Sequence, residues 1–371
     1  MKNKNLRFII SGGGTGGHLF PAIAIANKLK SLYPDSEIMF VGSKGKIEME
    51  KVPLSGYPIK GLWISGFQRN NMWRNVLLPL KLIHSFIISF FLVKKIKPHV
   101  AIGTGGYASF PLLFVASKLK IPTLIQEQNF FPGISNKLLA RSVKRICTVY
   151  PGMEKYFPAE KIVITGNPIR EDIRIDLSNK AKYYEAFGLN PDKKVLLVLG
   201  GSLGAKSINE ALQKHYESFI GQGMQIIWQA GRYYNELKTQ KDWSSVSGLY
   251  LKDFIHDMTS VYTIADLVVS RAGAITISEL AVMEKACVLV PSPNVTEDHQ
   301  TKNALALVEK KAALFIKDNE VNLLLPEIVN ATVFNDNLLR LLSENIKQFA
   351  QKQSTNEISA EIIKLIRKNE S

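Results

Sequence analysis

Five short segments of the chain combine glycine, small polar residues and a titratable group or two in a way that suits an anionic, hydroxyl-rich ligand. The first runs Gly12-Gly13-Gly14-Thr15-Gly16-Gly17-His18, the second Gly103-Thr104-Gly105-Gly106-Tyr107, and the third Gln126-Glu127-Gln128-Asn129. The fourth is Gly200-Gly201-Ser202-Leu203-Gly204-Ala205. The last is Ser270-Arg271-Ala272-Gly273-Ala274-Ile275-Thr276-Ile277-Ser278-Glu279. Glycines let a backbone turn sharply and bring bare N–H groups up to an anion at a helix N-terminus. In the last segment a small-residue turn enters a helix whose first N–H groups suit a diphosphate. Glu279 follows one to two turns on, where its carboxylate either accepts two ribose hydroxyls or faces solvent. His18 closes the first turn and needs little tuning to exchange a proton near neutral pH.

These segments are useful only if strands end where they begin. Phe8-Ile9-Ile10 and Val195-Leu196-Leu197-Val198-Leu199 are short all-apolar runs, as buried parallel strands require, and each leads through glycines into an amphipathic helix. One strand–glycine–helix unit means little. Two, each opening a comparable alternation of strands and helices, predict an α/β chain of two Rossmann-like domains facing across a cleft. Strands are predicted at residues 6–10, 37–41, 100–102, 123–126, 145–149 and 162–164, then at 195–199, 225–229, 249–252, 267–270, 287–290 and 313–316. Helices are predicted at 20–31, 110–118, 276–283 and 300–310. Gly166-Asn167-Pro168 stops the first half, and the polar stretch 170–182 reads as a linker. The expected division is 1–169, 170–336, and a tail at 337–371. Its amphipathic segments 338–349 and 358–366 are expected to pack back on the first domain.

At 371 residues and 46% apolar content, two domains with proper cores are affordable. Cys147 and Cys287 are far apart, in apolar contexts and without metal-ligand spacing. Residues 6–10 are too short an apolar run for a signal peptide, and the expected setting is reducing and cytosolic. Net charge is +15, but residues 1–170 hold 24 Lys and Arg against 7 Asp and Glu, while the remainder is nearly neutral. An anionic partner is therefore expected for the first half only. Residues 62–98 point to a membrane surface rather than nucleic acid. They hold Trp63, Phe67, Met72, Trp73, Leu77, Leu78 and the run from Leu82 to Val93, bracketed by Lys60, Arg69, Arg74, Lys81, Lys94, Lys95 and Lys97. The uncharged run falls short of the roughly 18–20 residues a spanning helix needs, yet an apolar patch with a basic rim suits lying on a bilayer. The alternative is that 82–93 is an ordinary buried helix.

Six motifs, in order, give the chain its resemblance to a known family. They are Gly-Gly-Thr-Gly-Gly-His at 13–18, Gly-Gly-Tyr at 105–107, Glu-Gln-Asn at 127–129, Gly-Asn-Pro-Ile-Arg at 166–170, Gly-Gly-Ser-Leu-Gly-Ala at 200–205 and Ser-Arg-Ala-Gly-Ala…Glu at 270–279. Together they resemble the MurG family, N-acetylglucosaminyltransferases that convert lipid I to lipid II in peptidoglycan synthesis. The resemblance implies the GT-B fold, with UDP-N-acetylglucosamine (UDP-GlcNAc) held mainly by the second domain and the undecaprenyl-linked acceptor by the first. Carried onto this chain, it implies donor contacts at Thr15, Gly16, Gly17, Asn129, Arg170, Ser202, Ile255, Ala274, Ile275, Thr276, Ile277, Ser278, Glu279 and Gln300. Ser202 would hold phosphate, the Ile255 backbone would read the uracil edge, and Arg170 would supply a fixed cation. Acceptor contacts would fall on Gly105, Gly106 and Tyr107. The chain departs from the family at Gln126, where histidine is frequent, and at His299-Gln300, where many members carry two glutamines.

The resemblance also implies inversion at the sugar. No Asp-x-Asp pair of the usual kind ends a strand, so helix N-termini and Arg170 are expected to stabilise the leaving diphosphate with no obligatory metal or other cofactor. His18 is the expected general base, with Glu127 as alternative base or substrate-orienting carboxylate. Expected partners are the two substrates, an anionic membrane surface at the cytoplasmic face of the inner membrane, and other proteins of cell-wall synthesis. Nucleic acid is not expected. A diacylglycerol glycosyltransferase would share fold and attachment. A nicotinamide-dependent oxidoreductase would want an acid closing the second strand, where this chain has Gly42-Ser43-Lys44.

Overall fold

The computed structural model describes residues 5–66, 72–170, 173–201, 204–295 and 298–370. Two compact units result: Met1–Ile169 with Gln353–Ser371, and Arg170–Lys352. In the first unit lie β1 (Arg7–Gly12), α1 (Gly16–Leu32), β2 (Glu37–Ser43), α2 (Glu48–Leu54), β3 (Ile59–Leu62), α3 (Leu78–Ile96), β4 (Val100–Gly105), α4 (Ser109–Lys118), β5 (Thr123–Gln126), α5 (Ile134–Leu139), β6 (Arg145–Thr148) and β7 (Ile162–Ile164). The second unit continues with α6 (Lys180–Phe187), β8 (Val195–Leu199), α7 (Lys206–Gly221), β9 (Gln225–Gln229), α8 (Tyr234–Leu237), β10 (Leu249–Lys252), α9 (Met258–Ile264) and β11 (Leu267–Ser270). It ends with α10 (Ala274–Val282), β12 (Cys287–Leu289), α11 (His299–Glu309), β13 (Leu314–Phe315), α12 (Val321–Val333) and α13 (Asp336–Lys347). A last helix, α14 (Ser354–Glu370), belongs to the first unit.

Every strand pair in both sheets is parallel. The first sheet runs β3-β2-β1-β4-β5-β6-β7 and the second β10-β9-β8-β11-β12-β13. Chain order therefore reverses between β1 and β4 in one, and between β8 and β11 in the other. Such switch points are where an open α/β sheet binds ligand, at the carboxyl ends of the strands. The loops that follow those four strands carry four of the five segments singled out above.

The strands are apolar because helices cover both faces. Phe8 and Ile10 enter one core layer with Ile25, Leu29, Ile358 and Ile362, while Ile9 enters the opposite layer with Leu112 and Ile146. In the second unit Leu196, Val198, Trp228 and Val269 pack with Ile208, Leu212 and Leu325. Burial pushes the Cys147 and Cys287 thiols up to about 12, as suits inert core residues.

The structure departs from the sequence expectation in four places. Ile59–Leu62 forms an edge strand that its short Ile-Lys-Gly-Leu pattern did not signal. The stretch 170–182 is only partly linker, since a helical turn at Leu177–Asn179 leads into α6. The two tail helices separate: Leu339 and Leu342 of α13 join the second unit's core, whereas Ile358, Ile362, Ile363, Leu365 and Ile366 of α14 join the first. An Arg145–Glu361 ion pair of 3.1 Å adds to the α14 attachment.

The fourth departure concerns α3. It buries its small residues Ser85 and Ser89, with Val93, and leaves Leu80, Ile83, Ile87, Phe90 and Phe91 between 40% and 63% exposed. Trp73, just upstream, is 87% exposed. Phe86 packs on Phe110 and Phe114 of α4, and Leu82, Ile88 and Leu92 lie against the core, so one side of the helix is covered while the other presents large apolar side chains outward. Among the described residues no helix is long and apolar enough to cross a membrane. Phe67 and Arg69 of the predicted patch lie outside the described residues.

Candidate active site

At the switch point of the first unit, the turn after β1 is locked to the loops after β4 and β5. Thr104 Oγ1 donates to the His18 carbonyl at 2.6 Å, and a Cβ on Gly12 would lie 1.9 Å from that hydroxyl, so this position admits only glycine. Gly105 sits at φ +102°, and a Cβ there would fall 2.7 Å from His18 Nδ1. The glycine therefore makes room for the imidazole ring. Gly106 in turn rests on Gly13, with room for no side chain between them, and the Tyr107 ring covers Gly66.

The tautomer of His18 follows from its partner. Gln128 Nε2 shares its two hydrogens among three oxygens, the Thr104 carbonyl (2.8 Å), the Gln126 carbonyl (3.1 Å) and Gln126 Oε1, so its amide oxygen must be the atom facing His18. His18 Nδ1 lies 2.9 Å from that oxygen and therefore carries the hydrogen in the neutral ring. Nε2 keeps the lone pair. A half-buried imidazole oriented through one nitrogen, with the lone pair on the other, has the geometry a general base needs. Gln126, the residue that departs from the family pattern, is buried and donates to Asn167 Oδ1 at 3.0 Å, while Asn167 Nδ2 donates to the Gln128 carbonyl at 3.2 Å. Here an amide knits Gln-Glu-Gln-Asn to Gly-Asn-Pro without any ionisable group.

Glu127 is in a different position. It is 1% exposed, its Oε1 accepts from the Asn129 N–H (3.0 Å) and Asn129 Nδ2 (3.1 Å), and its Oε2 accepts from the Gly133 N–H (3.1 Å) and Asn136 Nδ2 (2.8 Å). Four donors consume the carboxylate and orient Asn129, so Glu127 clamps its own loop. Thr15 and Gly17 are exposed at the start of α1, beside half-buried Gly16.

In the second unit, Gly204 (φ +81°) and Gly231 (φ +63°) approach so closely that a Cβ on Gly231 would lie 2.2 Å from the Gly204 nitrogen. This close approach shapes the turn that precedes α7. Ser202 and Leu203 lie outside the described residues. Helix α10 opens at Gly273, just beyond the end of β11, and this N-cap glycine has no side chain to bond the first turn. Ala274, Ile277 and Ser278 are buried, whereas Ile275, Thr276 and Glu279 are half-buried. The Ile277 N–H already bonds the Gly273 carbonyl at 2.9 Å and its side chain is in the core, so it positions the helix.

Tyr262, wholly buried, donates its hydroxyl to Glu279 Oε2 at 3.1 Å. Burial first, and then the Glu279 charge, holds this phenol well above its usual pKa, so it remains a donor. Ile255 has its N–H bonded to Gln229 Oε1 at 2.9 Å, which leaves its carbonyl for a ligand. Gln300 Oε1 accepts from the Ser292 N–H at 2.8 Å, which fixes the orientation of its amide. Arg170 is exposed at the first position of the unit.

Sequence reasoning missed several residues that hold the loops of each unit in place. Arg271 donates to the Val290 (3.1 Å) and Pro291 (3.3 Å) carbonyls, to Ser207 Oγ (3.2 Å) and to Asp318, tying four segments together at the mouth of β11. Gln128, Asn167, Thr104, Tyr262 and Gln229 act likewise. The contacts that set their tasks reach as far as 110 residues along the chain, so only the motifs containing some of them were visible.

Two parallel-sheeted units, each with a glycine-lined switch point, have the architecture of the GT-B class. Residues 8–148 match the glycosyltransferase family 28 N-terminal domain and residues 195–366 the glycosyltransferase family 28 C-terminal domain. The crystal structure of MurG from Acinetobacter baumannii superposes with a TM-score of 0.78 at 29% identity, covering 97% of this chain and 99% of that one. The UDP-N-acetylglucosamine--N-acetylmuramyl-(pentapeptide) pyrophosphoryl-undecaprenol N-acetylglucosamine transferase of Bacteroides thetaiotaomicron is 49% identical over 98% of both chains. Its namesake from Bacteroides fragilis is 50% identical over 97% of this chain and 96% of that one. The chain belongs to the MurG family.

Proposed function

We propose that the chain carries out its family's reaction as a single in-line displacement with His18 as general base. It is a UDP-GlcNAc-dependent N-acetylglucosaminyltransferase of peptidoglycan synthesis, converting lipid I to lipid II. The acceptor hydroxyl oxygen of N-acetylmuramic acid bonds to the anomeric carbon as the bond from that carbon to the UDP oxygen breaks. The electron pair leaves with UDP, the hydroxyl proton passes to His18 Nε2, and the α-linked donor becomes a β-1,4-linked product. The observation that carries this reading is the orientation of the His18 ring by Gln128, which leaves Nε2 unprotonated. Glu127, saturated by four donors, orients Asn129 instead of taking the proton.

The donor is read by the second unit. The start of α10, with Ala274, Ile275 and Thr276, suits the diphosphate together with Ser202, and Arg170 adds a fixed cation, so that no metal or other cofactor is obligatory. Glu279, steadied by Tyr262, accepts the ribose hydroxyls, the Ile255 carbonyl takes the uracil N–H, and the Gln300 NH₂ meets a sugar hydroxyl. Thr15, Gly16 and Gly17 complete the donor contacts, and Gly105, Gly106 and Tyr107 form the acceptor side. The outward-facing residues of α3 and Trp73 rest on an anionic bilayer at the cytoplasmic face, beside Lys81, Lys94, Lys95 and Lys97. Transfer of labelled GlcNAc to a lipid I analogue tests the base. His18→Ala should cost roughly a hundredfold or more in turnover with UDP affinity retained. Near-normal turnover would remove His18 from the role.

A further inference from the structure

The first glycine turn holds an anion of its own. Glu48, the first residue of α2, is 1% exposed. Its Oε2 accepts from the Gly14 N–H at 2.8 Å and its Oε1 from the Ser43 N–H, at the end of β2, at 2.9 Å. The surrounding backbone is cut to fit this carboxylate. A Cβ on Gly13 would lie 2.3 Å from Glu48 Cδ, and one on Gly42 would lie 2.5 Å from Glu48 Cγ. Gly14 stands at φ +82°, which turns its N–H inward toward the carboxylate. A glycine turn at the end of a first strand ordinarily offers such N–H groups to a ligand phosphate, and an acid near the end of the second strand ordinarily reaches a ribose. In this unit the acid instead turns into the glycine nest. At the matching turn of the second unit, among the described residues, no carboxylate is bonded to an amide of Gly200, Gly201 or Gly204.

We propose that Glu48 is a positioning residue for the transfer: its carboxylate stands where a nucleotide phosphate would, and fixes the main chain that presents His18. Gly14 is four residues before His18, and the His18 carbonyl is pinned from the other side by Thr104. With both ends of the Gly14–His18 segment held, the imidazole has one setting relative to Gln128. The same contact assigns the two glycine turns different tasks: the self-filled first turn is closed to a nucleotide phosphate, and the second is left to UDP. This inference rests on the reading of His18 as base.

Acetate decides it. Glu48→Ala keeps Cβ and opens a niche the size of acetate, between the Gly14 and Ser43 N–H groups. Turnover should fall roughly 10- to 100-fold, the cost of misplacing a catalytic group by about an ångström, with the affinity for UDP itself, which the second unit reads, unchanged. Added acetate should restore it saturably, and chloride should not. Turnover within twofold of the parent, or a loss in the folded protein that acetate leaves untouched, would overturn the proposal. If Glu48→Ala does not fold, Glu48→Gln, which sets an NH₂ against one of the two donors, takes its place. It should lower kcat, leave the affinity for UDP itself in place, and speed amide exchange chiefly in residues 12–18. Unaltered kcat, or exchange raised uniformly through the unit, would equally reject it. His18→Ala measured alongside separates the two readings. Acetate rescue at position 48 with normal turnover in His18→Ala would retain the internal anion and discard the base.

Discussion

Replacing Tyr262 by Phe removes one oxygen atom from the interior of the second unit and takes a donor from the Glu279 carboxylate. A hydrogen bond to a charged acceptor is worth about 1.5–3 kcal/mol. Glu279 is half-buried, so water replaces part of what the phenol supplied, and about 1 kcal/mol remains as the net loss in folding stability. For a unit spanning Arg170–Lys352 that corresponds to a fall of about 2–4 °C in Tm. The larger consequence is functional, because a carboxylate freed from Tyr262 must be ordered again when it meets ribose. An ordering cost near 1 kcal/mol weakens UDP binding about fivefold. Isothermal titration with UDP and with its 2′-deoxy analogue measures this directly. The deoxy ligand makes at most one of the two hydroxyl bonds, so Tyr262→Phe should weaken its binding less than that of UDP. Equal losses for both ligands would show that Tyr262 supports the unit as a whole and that Glu279 does not read the ribose.

Two further outcomes are expected. Phe90 and Phe91 are 40% and 63% exposed on α3, so changing both to Ser should leave Tm almost unaltered while weakening association with anionic vesicles about thirtyfold, on roughly 2 kcal/mol of lost apolar transfer. A large fall in Tm would instead make these rings part of the core. Lys285, which donates to the Thr263 and Ala265 carbonyls, is lowered by burial to about 8 from its ordinary 10.5. Between those values the unfolded chain binds the extra proton, so this group's penalty is full below pH 8 and is relieved as pH rises toward 10.5. Cys147 and Cys287, raised to about 12 from 9.0, act in the opposite sense, stabilising below pH 9 and losing that contribution above it. Denaturant titrations of the parent and of Lys285→Met across pH 8 to 10.5 isolate the lysine: the stability difference between them should change steadily with pH, and a constant difference would refute the shift.

The elements that hold the site were largely legible because their signals are local. A run such as Val195–Leu199 is apolar at every position, which only a strand covered on both faces requires, and glycines followed by an amphipathic stretch mark the turn wherever it occurs. The short edge strand β3 escaped because four residues with a lysine and a glycine carry no periodicity. The motif residues His18, Asn129 and Glu279 were likewise visible as residue types, but their tasks were not. Whether Glu127 takes a proton or clamps a loop depends on Gly133 and Asn136, and which nitrogen of His18 is basic depends on Gln128, 110 positions away.

Composition and period thus determined that the chain makes two parallel sheets, that glycine turns end their central strands, and that one half is strongly basic. The folded chain alone decided that α14 returns to the first unit while α13 does not, that α3 turns its serines inward and Phe90 and Phe91 out, and that Glu48 fills the first turn. The reason is that backbone preference and hydrophobic period act over a few residues. The partner of a carboxylate, an imidazole or a helix face is chosen by what remote chain occupies the space beside it.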